Sequence, residues 1–139
     1  MPFPETKACL VCEGARLEAY GKYSVLGFYG IAPDVYIAIR EFIQPITLCF
    51  FFVCGRGSGN FNVGARLIAP NGSIIEPPSV QASLDASIPL AFFIFTVQNA
   101  LPGPGQYRVL LRANQEERYA TTIECSHVTP EQMAHLRGP

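Results

Sequence analysis

The sequence predicts an all-β protein, a single antiparallel two-sheet β-sandwich of about 8–9 strands with a short C-terminal helix. Apolar and polar residues alternate strictly along residues 107–113 and 119–125, which a short charged turn joins. Period two in neighbouring runs is typical of antiparallel strands with one face in a core. Further short apolar runs follow one another along the chain, and turns rich in glycine and proline separate them. That spacing is typical of a sandwich.

The first half of the chain contains five of these runs, each bounded by residues that favour turns. Gly21-Lys22 separates the first two runs, Pro33-Asp34 restarts the chain, and Pro45 precedes an almost unbroken apolar run. Glycine and proline terminate strands because of their special backbone dihedrals. The predicted strands are Ala8–Leu17, Tyr23–Tyr29, Val35–Arg40, Ile46–Cys54 and a strand with Phe61, Val63, Ala65 and Leu67 on its buried face.

The second half continues with shorter runs and ends in the one predicted helix. Asn71-Gly72 predicts a type I′ hairpin turn, because both residues tolerate positive φ, and Pro77-Pro78 ends the return strand. The pattern leaves Val80–Asp85 open between a strand and an irregular crossing. The helix is predicted over Pro130–Leu136, with Thr129 as N-cap and Gln132 completing a capping box. The other predicted strands are Ser73–Glu76, Leu90–Val97, Tyr107–Ala113 and Tyr119–Cys125.

Composition indicates one folded domain and excludes several function classes. The chain has 139 residues, of which 49% are hydrophobic and only 15% charged, which excludes general disorder. We therefore expect an N-terminal extension over residues 1–7, a β-domain over 8–127 and a tail over 128–139. A net charge of −1 offers no basic surface for a phosphate backbone, so nucleic-acid binding is disfavoured.

The apolar runs and the cysteines together favour a cytoplasmic protein. The longest apolar runs are strand-sized, whereas a membrane-spanning helix needs about 20 residues, so we expect no membrane insertion. The N-terminal residues do not resemble a secretion signal. Without one, the odd number of cysteines, 5, is typical of reduced thiols rather than disulfides.

The strands 46–54 and 90–97 are apolar on both faces, which predicts a cover on both faces. One cover is the second sheet of the sandwich. We expect the other to be a second copy of the chain or a protein partner, and the alternative cover is the chain's own tail or the stretch 77–88. The residues assigned to this interface are Cys49, Phe51, Val53, Phe93 and Phe95.

Metal and redox chemistry have weak signals in the sequence. Cys9 and Cys12 have C-x-x-C spacing, but they lie in a predicted strand, where residues three apart point to opposite faces. Cys125 and His127 share a strand face and form at most a partial zinc set with one of those thiols. The glycine-rich run 55–59 joins two strands and so lacks the helix N-terminus of a phosphate loop. We expect a flexible turn there, and neither metal nor cofactor.

Catalytic and ligand-binding residues are similarly sparse. The chain has only 2 histidines, both near its C-terminal end, and its serines lie outside any nucleophile-elbow context. The sequence therefore favours a non-enzymatic protein. It has no tryptophan, but four tyrosines near the Gly21 and Gly30 turns form the candidate patch for a small molecule or peptide: Tyr20, Tyr23, Tyr29 and Tyr36.

Several short motifs resemble a family of small bacterial proteins of unknown function. They are Cys12-Glu13 with Arg16, the run 21–30 (GKYSVLGFYG), Phe61-Asn62-Val63, Pro70-Asn71-Gly72 and Gly105-Gln106-Tyr107. The resemblance covers most of residues 8–126 and implies a single antiparallel β-sandwich in the bacterial cytoplasm. It implies no activity and no site residue. The prediction is thus a β-domain that acts by self-association or protein contact, and the alternative is a ligand-binding or enzymatic sandwich with a site near Tyr20–Tyr36.

Overall fold

The computed structural model describes residues 3–129 and 131–132, and strands account for most of them. The predicted all-β class is therefore confirmed. A short 3-10 turn, Ala19–Gly21, joins the first two strands. The strands are β1 (Thr6–Leu17), β2 (Tyr23–Ile31), β3 (Asp34–Ile39), β4 (Ile46–Cys54), β5 (Gly59–Ile68), β6 (Ile74–Ile75), β7 (Val80–Leu84), β8 (Ala91–Asn99), β9 (Gly105–Ala113) and β10 (Glu116–His127).

These strands form one continuous sheet in the order β6-β5-β9-β10-β3-β2-β1-β4-β8, and β7 pairs with β5. The sheet curls until it is nearly closed, so the architecture is barrel-like and not the clear two-sheet sandwich of the prediction. One ladder is responsible for the difference. Residues Ile123–His127 of β10 pair in parallel with Val35–Ile39 of β3, whereas all other ladders are antiparallel in the described part of the chain.

The parallel ladder joins two antiparallel halves that would otherwise be separate sheets. One half contains β5, β6, β7, β9 and β10, and the other contains β1, β2, β3, β4 and β8. Their inner faces enclose one core, in which the largest fully buried side chains include Tyr107, Phe50, Phe52 and Leu67. Burial of such side chains stabilises the fold by roughly 1.5–3 kcal/mol each.

The turn at Asn71-Gly72 differs from the predicted type I′ hairpin. Gly72 has a φ of +87°, but Asn71 is not among the residues with positive φ. The N–H of Gly72 donates to the carbonyl of Ala69 at 2.9 Å, and the side chain of Asn71 accepts from the N–H of Ser73. The connection is therefore a longer loop whose last position suits glycine.

The described residues nearest to each end of the chain make specific contacts. Thr129 and Gln132 form the predicted capping box, with Thr129 N–H to Gln132 Oε1 at 2.8 Å and Gln132 N–H to Thr129 Oγ1 at 3.2 Å. Glu131 and Gln132 are helical, and the rest of the predicted helix lies outside the described residues. At the other end β1 begins before the predicted boundary, and Phe3 is buried against Phe61 and Phe93. Residues 3–7 thus belong to the domain.

Candidate protein-contact surface

The outer face of β2, β1, β4 and β8, meaning the side turned away from the core, is built from rows of mostly apolar residues. Strand register sets these rows, because directly opposite residues in a ladder share a face. One row crosses all four strands and consists of Ile31, Leu10, Phe51 and Ile94, and the next consists of Phe28, Cys12, Cys49 and Thr96. The prediction that β4 is apolar on both faces is confirmed by the burial of Phe50, Phe51 and Phe52.

The same register corrects the predicted interface. Phe93 lies opposite Phe52, and Phe95 lies opposite Phe50, so both side chains point into the core. They do not share a face with Cys49, Phe51 and Val53. The residues of β8 that do share it are Phe92 and Ile94, opposite Val53 and Phe51. The sequence shows alternation within β8 but not which of its two apolar faces matches the outer face of β4.

The hairpin of β1 and β2 partly covers this outer face. The ring of Tyr23 lies 5.3 Å from that of Phe51 and 5.1 Å from that of Phe92. A straight β2 would carry Tyr23 roughly 25 Å away from Ile31, which shares a row with Phe51. The hairpin must therefore curve back. A β-bulge opposite Val11 and Cys12 and a positive φ of +60° at Gly27 supply that curvature.

This intramolecular cover differs from both alternatives that the sequence suggested. Tyr23 belongs to neither of the two segments named as alternatives, and Phe51 beneath it is only 5% exposed. The cover is incomplete at both margins of the outer face. Phe28 is 57% exposed and Ile31 46% exposed on the β2 side, and Phe92 is 39% exposed on the β8 side.

The outer surface of the other half of the sheet has the opposite chemistry. Arg66 on β5 contacts Glu76 at 2.9 Å and Glu117 at 3.0 Å, and Arg112 contacts Glu76 at 3.4 Å. The hydrogen bond from Arg66 holds the pKa of the Glu76 carboxyl below its usual value. β4 and β8, by contrast, contain no charged residue. One outer surface is thus charged and the other apolar.

The four candidate tyrosines do not form one patch. Tyr20 is 97% exposed at the hairpin tip, and Tyr23 packs on Phe51 and Phe92. Tyr29 and Tyr36 do line a common cleft of about 430 Å³, together with Pro33, Asp34, Val35, Gln106, Thr122 and Glu124. Burial and then the nearby Glu13 carboxylate raise the pKa of Tyr29. Only half of the predicted ligand patch is therefore assembled.

The cysteines are buried, free thiols, as expected for small apolar residues. Burial, more than the neighbouring Cys54, raises the pKa of Cys9 to about 12, and burial likewise raises the pKa of Cys12 to about 12. Cys125 is 2% exposed in the core, whereas His127 is exposed and stacks on Phe42 at 6.4 Å. Within residues 3–129 and 131–132, no group of histidine, cysteine and carboxylate side chains is arranged to hold a metal ion.

The glycine-rich run 55–59 is held by the N-terminal segment and is not the free turn that the sequence predicts. The N–H of Gly55 donates to the carbonyl of Glu5 at 2.8 Å, and Gly57 packs closely against Pro4. Arg118 fixes the same segment, because its guanidinium donates to the carbonyls of Phe3 and Pro4, each at 2.7 Å. No periodic pattern in the sequence indicates this N-terminal clamp, meaning the contacts of residues 3–5 with Gly55, Gly57 and Arg118, because they join residues far apart in the chain.

Comparison with protein-family models and with curated proteins found no match to this chain. Among the described residues, no helix has the length and apolar character to span a membrane. The surface chemistry described above is therefore the basis for a functional proposal.

Proposed function

We propose that this protein is a non-enzymatic β-domain that acts by protein contact or self-association through the outer face of β2, β1, β4 and β8. The observation that carries the proposal is the exposed apolar margin formed by Leu26, Phe28 and Ile31, with Phe92 across the sheet. Adjacent exposed apolar residues typically mark interaction sites. The buried thiols support a reducing compartment such as the cytoplasm.

The apolar surface left for a partner is smaller than the sequence suggested. Phe51 is already covered by Tyr23 and contributes little to a contact. Phe28, Ile31 and Leu26 are each about half exposed, and a partner that buried them would gain from their transfer out of water. The margin on β2 is therefore the centre of the proposed contact.

A charge placed in this margin tests the proposal. We expect the wild-type chain to self-associate at micromolar concentrations in light scattering coupled to size-exclusion chromatography, and Phe28→Lys to be a folded monomer. Ile43→Lys is the matched control, because Ile43 is 86% exposed and lies outside the outer face, between β3 and β4. A wild-type chain that stays monomeric at high micromolar concentration refutes self-association. Association of Phe28→Lys equal to that of the wild type refutes the β2 margin as the interface.

The second candidate is a ligand site in the cleft beside Tyr29 and Tyr36. Its volume of about 430 Å³ lies within the range of small-molecule pockets. Tyrosine rings with Asp34 and Glu124 would favour a small organic cation. Titration of the wild type and of Tyr36→Ala with quaternary ammonium compounds tests it, with NMR chemical shifts followed at Asp34 and Glu124 of the cleft. Equal shifts in the variant, or none in the wild type, exclude this site.

A further inference from the structure

β8 lies at one end of the sheet, and its regular, extended backbone is able to pair with a further strand. It pairs with β4 over 9 residues, from Ala91 to Asn99, without a register shift. On its other side, β8 has no strand partner in the part of the chain that the structure describes. Alternate backbone N–H and C=O groups of a regular edge strand point outward and accept a further strand.

The two ends of the sheet are protected very differently. At the opposite end, β6 has only 2 residues, β7 has 5, and Pro77 and Pro78 lie between them. Short strands, prolines, bulges and charged residues are the devices by which natural edges avoid pairing. β8 has none of them, because no charged residue or proline occurs within it and its ladder is unshifted. Such an edge is typical of a strand that pairs with another chain.

We infer that the β8 edge pairs antiparallel with β8 of a second copy, which extends the sheet across a two-fold axis. Antiparallel pairing of a strand with itself satisfies the symmetry of a dimer. It also opposes only uncharged side chains, because no charged residue occurs from 86 to 107. The row that ends in Ile94 would continue into the second copy. The inference goes beyond the proposed contact at the β2 margin, because β8 lies at the other side of the same four strands and its edge would form a separate contact.

The surroundings of β8 indicate which part of the edge is available. A cleft of about 280 Å³ separates its first residues from β7, and its lining includes Leu84, Leu90 and Phe93. The β7–β8 connection, which includes Ile88, flanks this same end, and Arg56 donates to the carbonyl of Ala86 within it. The second copy is therefore placed along Ile94–Asn99, with Thr96 near the middle and exposed.

Opposite charges at Thr96 test self-pairing directly. We expect Thr96→Lys and Thr96→Glu each to raise the dimer dissociation constant about tenfold or more, because like charges then face each other across the axis. An equimolar mixture of the two variants should form a heterodimer at least as tight as the wild-type dimer. Gln106→Lys, an exposed change on the central strand β9, is the matched control and should dimerise normally. Analytical ultracentrifugation and circular dichroism give the mass and the fold.

Amide hydrogen exchange supplies a second readout. The outward amides of Ile94–Asn99 should exchange more slowly as the wild-type concentration rises, and this dependence should vanish in Thr96→Lys. Normal dimerisation of Thr96→Lys and Thr96→Glu, with a monomeric Phe28→Lys, overturns edge pairing and leaves the proposed function intact. A strictly monomeric wild type overturns edge pairing and also the self-association form of the proposed function. Protection that is independent of concentration shows that the chain covers its own edge and also overturns the inference.

Discussion

Removal of the aromatic cover formed by Tyr23 tests whether the curved hairpin stabilises the outer face. Phe51 is 5% exposed, so Phe51→Ala should cost about 3–5 kcal/mol of unfolding free energy, as for a core phenylalanine. Phe92 is 39% exposed, and scaling by its buried fraction lowers the expected cost of Phe92→Ala to about 2–3 kcal/mol. These costs are large for residues that face away from the core.

The coupling between Tyr23 and Phe51 isolates the contribution of the hairpin. Their rings meet at 5.3 Å with an interplanar angle of 69°, an edge-to-face geometry. Such pairs contribute about 0.5–1.5 kcal/mol beyond area burial. Urea unfolding of the wild type, both single alanine variants and the double variant, followed by circular dichroism, measures this coupling. Tyr20→Ala is the control, because Tyr20 is 97% exposed.

Two outcomes would refute this reasoning. A coupling energy indistinguishable from zero would mean that something other than Tyr23 buries Phe51. If Tyr20→Ala and Tyr23→Ala lower the unfolding free energy equally, the contact of Tyr23 with Phe51 makes no specific contribution to stability. The unfolding should be measured at two protein concentrations, because any dimer contribution makes the apparent stability concentration-dependent.

Three further predictions concern the backbone, the N-terminal clamp and the thiols. Gly27→Ala should lower the unfolding free energy by about 1–3 kcal/mol, because Gly27 has a φ of +60° and an added Cβ would lie 2.6 Å from the side chain of Glu13. Arg118→Ala should cost about 1–3 kcal/mol through its two hydrogen bonds to the N-terminal segment, and Arg118→Lys should restore only part of it. The unfolding free energy should fall between about pH 9 and pH 12. In this range the cysteine thiols of the unfolded chain ionise, whereas the buried thiols of Cys9, Cys12 and Cys125, whose pKa values are about 12, stay protonated in the folded protein.

Each of these predictions has its own control in urea or thermal unfolding. Gly14→Ala should be close to neutral, since nothing lies within 4 Å of its added Cβ, and an equal loss at both glycines would contradict the role of Gly27. Arg16→Ala should change stability by less than about 0.5 kcal/mol, because its pair with Glu18 is exposed. If the unfolding free energy of Cys9→Ala decreases with alkaline pH as steeply as that of the wild type, other groups cause the decrease.

The candidate surface was only partly predictable from the sequence. The doubly apolar character of 46–54 follows directly from its residues, and Cys49 and Phe51 are buried on its outer face. The assignment of Phe93 and Phe95 failed because period two defines two faces without naming them. Only the β4–β8 register shows that Phe92 and Ile94 lie beside Val53 and Phe51.

Local sequence by itself determined the class of the fold, the positions of most strands and the capping box of Thr129 and Gln132, since alternation and capping depend on residues close together in the chain. Only the tertiary structure decided that β3 and β10 pair in parallel, that Tyr23 covers Phe51, and that Arg118 holds Phe3. These contacts join residues remote in sequence, and their energies depend on how the whole sheet curves. The position of the sheet's edges likewise depends on how all the strands pair, and no short run of residues encodes it.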